Sequence, residues 1–366
     1  MVEVHNCPDK ALSDGAQSLY PEQFEKMMRD IDVLAPVIGK SVSHRTFNTE
    51  KAGKTQSHSG ESLAFDYTSP LAEYVNTHSP VVCAYSGGNG AYAEQAIQHY
   101  FGKTVTPLAE HNFRGVMDAV ISGRASLGML PIENSLAGSV YENYDNLARY
   151  EDIEVVGTFT MRIEHSLLSV KGSSPDKITA VYSHPQGLAQ CSDFLAGYPD
   201  WERIETDSTS SAAQMVAESG DKSRAAIASG ATAPIYHLEI LKSGIESNPR
   251  NYTRFVIIAR TGEIVASAPN TASVIFSTAN EPGSLYRVLG LFAKYGLNLT
   301  KLESRPVPGE PWQYRFYANL TLPEGVGSSV VAAERIRSAI AEMKDKNRAG
   351  NSILDVRVLG LYSVKE

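Results

Sequence analysis

An α/β protein of more than one unit is the fold class this sequence predicts, and three observations carry it. Short apolar runs alternate with helical stretches from Val81 to Ile245, the signature of strands joined by helices. From about Ser273 to Leu361 the order becomes βαββαβ, the ferredoxin-like pattern. Between these lies Phe255-Val256-Ile257-Ile258, a continuous apolar run suited to a strand buried on both faces. Ser247-Asn248-Pro249-Arg250 just before it is turn chemistry. Thr253 and Arg254 therefore stand at the mouth of a buried strand, where α/β proteins place ligand-handling groups. Each also has an ordinary reading, since Thr suits strands and an Arg at a strand end is commonly solvated or paired.

At 366 residues the chain is long enough for two or three domains with their own cores. A net charge of −8 and a pI near 5.7 argue against nucleic acid or an anionic membrane as partner. Cys7, Cys83 and Cys191 are odd in number and lack metal or redox spacing, so they read as reduced thiols. Apolar runs fall short of a membrane span. The N-terminus lacks secretory character and carries Glu3, Asp9, Asp14, Glu22 and Glu25, which leaves a cytoplasmic location as the expectation.

Residues 1–79 form a helical and linker extension. A helix over 21–38 is predicted from Pro21 at its start and from Phe24, Met27, Met28, Ile31 and Leu34 at helical spacing. The polar stretch 41–68 reads as a linker, and a short helix is expected over 70–76. Then Val81-Val82-Cys83-Ala84-Tyr85 predicts a buried strand, followed by a glycine-rich turn through Gly90 and a helix over 92–101. This order offers backbone N–H groups to an anion, although the spacing is neither a dinucleotide fingerprint nor a phosphate loop. A helix over 113–122 and a strand over 127–130 lead into Pro131-Ile132-Glu133-Asn134-Ser135. These are polar groups on a loop after a strand, where function concentrates; equally, Glu133 could anchor neighbouring backbone.

Strands follow over 153–159, 163–170 and 178–182, the last ending in Ser183-His184-Pro185-Gln186 before a helix over 187–194. Asp207-Ser208-Thr209-Ser210-Ser211 caps a helix over 212–218. A strand over 225–228 and a helical start over 232–236 complete the alternation, and 240–245 leads back to the stretch before Thr253. After a joint at 266–272 come a strand over 273–277, the turn Asn280-Glu281-Pro282-Gly283 and an amphipathic helix over 284–295. Strands over 297–302 and 314–322 flank the turn at 308–311, and a helix over 330–343 precedes the last strand.

Taken together, these segments resemble prephenate dehydratase and its plant-type relative, arogenate dehydratase. The resemblance rests on Ala84-Tyr85-Ser86-Gly87 with Gly90-Ala91-Tyr92, on Leu130 to Ser135, on Ser183 to Gln186, on Ala226-Ile227-Ala228-Ser229 and on Thr253-Arg254-Phe255. The C-terminal part resembles an amino-acid-binding ACT domain, through Pro282-Gly283-Ser284-Leu285 and Glu303-Ser304-Arg305-Pro306. The resemblance implies a periplasmic-binding-protein-like domain over 80–265 with two lobes about a cleft. One lobe would hold 80–160 with 237–265 and the other 161–236, with an ACT domain over 272–366.

It further implies decarboxylative dehydration of prephenate to phenylpyruvate, without metal or organic cofactor. Thr253 takes the catalytic position, aided by Arg254 and Glu133. Asn134, Ser135, Ser183, Gln186, Phe255 and the backbone at Gly90 would bind substrate. L-phenylalanine would bind at Asn280, Pro282, Gly283, Ser284, Leu285, Asn298, Glu303, Ser304 and Arg305, across a homodimer or within a homotetramer. Many relatives carry Ser where this chain has Ala93 and Pro where it has Asn89. The usual chorismate mutase domain is not recognisable in 1–79, so a monofunctional enzyme is expected. Two alternatives stand beside this reading: turnover of arogenate directly to phenylalanine, and a non-catalytic phenylalanine sensor. Retention of Thr253, Arg254, Glu133 and Asn134 speaks against the sensor.

Overall fold

The computed structural model describes residues 70–266, 268–322, 329–348 and 353–364. The expected helix over 21–38 and the linker over 41–68 lie outside the described residues. The chain enters as α1 (Pro70–Thr77) and builds a first layered unit from β1 (Val81–Ser86), α2 (Tyr92–Phe101), β2 (Val105–Glu110), α3 (Phe113–Ile121) and β3 (Leu127–Asn134). A two-residue strand, β4 (Gly138–Ser139), folds back on β3 before α4 (Tyr141–Arg149) and β5 (Ile153–Arg162). β1, β2 and β3 are parallel, as helical crossovers require. β2 has no counterpart among the expected strands. Its Pro107 and weak apolar content hide it, and both are tolerated because it is an edge strand.

A second unit follows: β6 (Ser166–Ser169), β7 (Ala180–Ser183), α5 (Pro185–Gln190), α6 (Ser192–Ala196), β8 (Glu202–Glu205), α7 (Thr209–Ser219), β9 (Arg224–Ala228), α8 (Thr232–Tyr236) and β10 (Glu239–Ser243). The sheet order is β10-β6-β9-β7-β8. β10 pairs with β6, so the chain stays in the second unit beyond residue 237, where the sequence reading had placed it in the first. The cause is β6, whose second edge β10 satisfies. One expected helix over 187–194 is two short ones, broken at Cys191.

The chain then returns to the first sheet as β11 (Tyr252–Arg260), inserted antiparallel between β3 and β5. Its apolar run is buried on both faces, as the sequence predicts. Two crossovers thus join the units, and they are tied together. Ile163 N–H donates to the Asn251 carbonyl at 2.7 Å, Ile245 N–H to the His165 carbonyl at 3.1 Å, and Arg162 Nη2 to Glu246 Oε1 at 3.0 Å.

The C-terminal unit comprises β12 (Thr271–Thr278), α9 (Ser284–Lys294), β13 (Asn298–Pro306), β14 (Tyr314–Thr321), α10 (Ser329–Arg348) and β15 (Ile353–Tyr362), in sheet order β13-β14-β12-β15. The strand expected over 273–277 is β12, and nearly all of it is buried. Both faces of this sheet are covered. Val288, Leu291, Ile336 and Ile340 pack on one side, while Ile275, Tyr317, Leu359 and Tyr362 join the core of the first unit on the other. Gly360 permits the close approach, since a Cβ there would collide with the Val155 carbonyl oxygen. Arg357 donates to the carbonyls of Leu147, Ala148 and Tyr150, satisfying the otherwise unpaired end of α4.

Candidate active site

The carboxyl ends of β1 and β3 and the start of β11 face the amino ends of α5 and α7 across a cavity of about 850 Å³. Thr253 sits in this cavity, mostly buried, because its register opposite Asn134 on β3 and Met161 on β5 fixes it between two strands. Thr253 and Phe255 share the cavity side of β11 by alternation, and an extra residue on β3 opposite the Arg254–Phe255 step brings Asn134 and Pro131, three residues apart, to that same side.

The geometry around Thr253 sets the direction of its hydroxyl. Asn134 Oδ1 accepts from the backbone N–H of Leu136 at 3.0 Å and of Ala137 at 2.9 Å. Its Nδ2 must therefore be the donor to Thr253 Oγ1 at 3.0 Å and to Asn251 Oδ1 at 2.8 Å. Among the described residues the Thr253 hydroxyl proton has no protein acceptor, so it is available to the cavity.

The amide chain continues through Gln190. Asn251 Nδ2 donates to Gln190 Oε1 at 3.0 Å, and His165 Nε2 lies 2.8 Å from the same oxygen. Since that oxygen accepts, Nε2 carries the ring proton, and Tyr92 lies 2.9 Å from Nδ1. Burial lowers the His165 pKa below 6.5, against upward pulls from its Gln190 bond and from Glu246. Tyr92, His165, Gln190, Asn134 and Thr253 all line the cavity. Sequence reading missed Gln190, although it stands four residues after Gln186 on one helix face, a spacing that makes neighbours.

Several expected site residues lie elsewhere. Arg254 and Glu133 do not line the cavity; alternation along the strand sends them to the other side of the first sheet. There Arg254 Nη1 meets Glu133 Oε2 at 3.3 Å and Lys301 Nζ meets Glu133 Oε1 at 2.8 Å. Ser183 is fully buried, its hydroxyl donating to the Ile227 carbonyl at 2.7 Å. The Ser135 hydroxyl is spent on the Arg250 carbonyl and the Tyr252 N–H, both at 2.9 Å. The Gly90 N–H is already bonded to Glu94. Gly90 (φ 80°) serves close packing instead, since a Cβ there would stand 2.6 Å from Thr232 Cγ2 of the second unit. Gln186 and Phe255 do line the cavity.

Lysine and arginine are missing from the cavity lining among the described residues, which does include His111, His184, Glu110 and Asp207. Glu110 is paired with Arg124. An anion here would meet the Thr209 and Ser210 end of the first turn of α7, whereas Ser208 and Ser211, which also line the wall, are bonded to each other as a capping box. Ala93 also lines the wall, without a hydroxyl. Three or more His, Cys, Asp or Glu side chains placed to hold a metal do not occur among the described residues.

The expected effector residues divide in the same way. Asn280, Pro282, Gly283, Asn298 and Ser304 are exposed. Ser284 is buried and bonded to Arg287, and Leu285 packs on the C-terminal core. Glu303 and Arg305 turn toward the first unit, on Ser139 and Asp145. Register places Asn298 level with Thr271, and Arg305 level with the Ser277 end that leads to Asn280. One chain therefore holds Asn298 and Asn280 at opposite ends of the sheet.

Two α/β lobes around a cleft, with a ferredoxin-like sheet locked to one of them, define a two-lobed periplasmic-binding-protein-like domain carrying an ACT domain. A family model described as prephenate dehydratase matches residues 83–263. The bifunctional chorismate mutase/prephenate dehydratase of Escherichia coli is 33% identical over 293 residues, covering 79% of this chain and 72% of that protein. The prephenate dehydratase of Arthrobacter aurescens, solved in complex with L-Phe, superposes with a TM-score of 0.65 at 26% identity, covering 78% and 90% of the two chains. A structure described as GqqA, a novel type of quorum quenching acylase, gives a TM-score of 0.66 at 29% identity over 78% and 98%. The chain belongs to the prephenate dehydratase family. Helices long and apolar enough to cross a membrane are absent among the described residues.

Proposed function

We infer that this protein converts prephenate to phenylpyruvate, water and carbon dioxide, under control of L-phenylalanine. The observation that carries the reading is the Asn134–Thr253 pair, in which an oriented amide donates to Thr253 and leaves its hydroxyl proton for the cavity. In the reaction the bond from the ring to its carboxylate breaks, and that electron pair enters the ring. The ring carbon–oxygen bond breaks at the opposite end, and the departing hydroxide takes up one proton from solvent to leave as water. A fixed hydroxyl donor stabilises the negative charge developing on that oxygen. Thr253 fills this role without ionising, Asn134 holds it there, and Gln190 and Asn251 hold Asn134. The substrate carboxylates are assigned to the first turn of α7 and to Gln186 rather than to Arg254.

Under this reading residues 80–265 form the catalytic unit and 272–366 the regulatory one. The opposite placement of Asn298 and Asn280 supports a homodimer or larger homo-oligomer, since a site using both would need a second copy. Exposed Tyr286, Trp312 and Tyr314 on this unit fit the same arrangement. The Arthrobacter relative binds L-Phe, which supports phenylalanine as the effector here. A cytoplasmic location belongs to the same proposal.

Arogenate is the alternative substrate. An acylase reading is disfavoured because Thr253 has an amide donor, not a general base, as its neighbour. The test incubates purified protein separately with prephenate, arogenate and an N-acylated signal molecule, with and without L-phenylalanine. Phenylpyruvate formation suppressed by phenylalanine is the expected result. Phenylalanine formed from arogenate alone moves the enzyme to the second route. Loss of all turnover with phenylalanine still bound makes it a sensor, and acyl hydrolysis alone overturns the dehydratase reading.

A further inference from the structure

The C-terminal sheet reaches the segment that walls the cleft through Tyr317 on β14, which donates to the Tyr144 carbonyl, and through the charged side chains of β13. Lys301 Nζ on β13 donates to Glu133 Oε1 and to Ser139 Oγ, both at 2.8 Å, and lies 3.5 Å from Glu303 Oε2. Ser139 Oγ in turn donates to Glu303 Oε2 at 2.6 Å. Farther along the strand Arg305 holds both carboxylate oxygens of Asp145, at 3.1 and 2.7 Å, with its guanidinium over the Tyr141 ring at 4.6 Å. These points fix the segment 138–145, and Gly138, Ser139 and Val140 in that segment line the cavity.

We propose that Lys301, although it lies in the C-terminal sheet, is a positioning residue for the reaction: it holds β4 as the cleft wall. Its side chain is only 15% exposed, so these charge-assisted bonds are less screened than those of a surface lysine. The ammonium sits among Glu133, Glu303 and the hydroxyl of Ser139. Without it Glu133 keeps only Arg254 on its other oxygen, Glu303 loses its cation, and the two carboxylates repel across Ser139. β4 consists of two residues paired only to the end of β3. Val140 N–H on the Ile132 carbonyl and Asn143 on the Pro131 carbonyl hold its far side, and Lys301 is the cation that ties the Ser139 side chain to that strand end. The consequence for turnover rests on the dehydratase reading; the restraint on 138–145 does not.

The test compares full-length Lys301→Met and Lys301→Arg with the unaltered protein, by backbone hydrogen exchange and by steady-state kinetics on prephenate. In Lys301→Met, exchange across 134–145 is expected to quicken by about tenfold while the second sheet is unchanged. KM should rise by about five- to tenfold with kcat much less altered, because the wall contributes binding common to ground and transition states. Lys301→Arg should restore both. Ser139→Ala removes the other end of the contact and should reproduce the exchange change even if Lys301→Met folds poorly. Unchanged exchange across 134–145 in both variants, or faster exchange with KM unmoved, overturns the proposal. An unaltered protein inactive on prephenate whose Lys301→Met variant still shows the exchange signature would refute the dehydratase reading and leave the clamp standing.

Discussion

Asn134 Nδ2 donates to Thr253 Oγ1 at 3.0 Å, and two backbone N–H groups on Asn134 Oδ1 prevent the amide from being read the other way round. Thr253→Ala removes the hydroxyl donor and is expected to lower kcat by about a hundred- to a thousandfold, the range for loss of one oxyanion-type donor. Thr253→Ser should keep most activity. Asn134→Asp replaces the donor by an acceptor and turns the threonine proton away from the cavity, so it too should lose kcat. Single-turnover product formation, followed for all three, checks the set.

Arg254 and Glu133 face the C-terminal sheet. Arg254→Leu is accordingly expected to cost less than about tenfold in kcat/KM, against the much larger loss from Thr253→Ala. A loss equal to that of Thr253→Ala in parallel assays would return Arg254 to the chemistry.

Ser183 closes a buried bond from β7 to the Ile227 carbonyl on β9 at 2.7 Å. Ser183→Ala removes that buried bond and should cost about 1–2 kcal/mol of stability. Its KM for prephenate should stay unchanged in the folded fraction. Denaturant titration beside initial-rate assays separates the two effects; a raised KM at unchanged stability would restore Ser183 to the site.

Gly90 adopts φ 80° and abuts Thr232 across the lobes. Gly90→Ala combines a disfavoured backbone with a steric clash, and an expected loss of about 1–3 kcal/mol follows. Thermal unfolding measures it, and the double variant Gly90→Ala with Thr232→Ser should recover part of the loss.

Burial lowers the pKa of His165 below 6.5, and that of His184 as well. Above that value both states hold these imidazoles neutral, and their contribution to stability is fully present. As pH falls below it, the unfolded chain binds protons that the folded chain refuses, and stability is lost. Tm should therefore fall as the pH drops below about 6.5, and the slope should be shallower in His165→Gln. A Tm profile identical in the two proteins would show that His165 is not the source.

The strands and helices that build the lobes were legible because each is a local pattern: the run at 255–258, the caps at 207–211 and the βαββαβ order of the tail. β2 was not, since an edge strand tolerates Pro107 and needs few apolar residues. The end of β10 in the second sheet was not either, because partner choice between sheets is a long-range property.

Within the site, residue types were readable and directions were not. Thr253, Asn134, Phe255 and Gln186 stand in the cavity as expected, whereas Ser135, Ser183 and Gly90 are bonded to their own scaffold. A hydroxyl at a strand end looks the same in sequence whether its partner is a ligand or a carbonyl. The irregularity opposite the Arg254–Phe255 step decides which β3 residue joins Asn134 at the cavity, and only the pairing with β3 reveals it.

By itself, then, the sequence determined the α/β class, the ferredoxin-like tail and the threonine at the mouth of a buried strand, since these follow from periodicity and short-range chemistry. The tertiary structure alone decided that Glu133 and Arg254 meet Lys301 rather than the cavity, and that Gln190 and Asn251 orient Asn134. Those pairings join residues far apart in the chain. Their geometry is set by sheet register and by the packing of β15 on β5, and no local pattern encodes either.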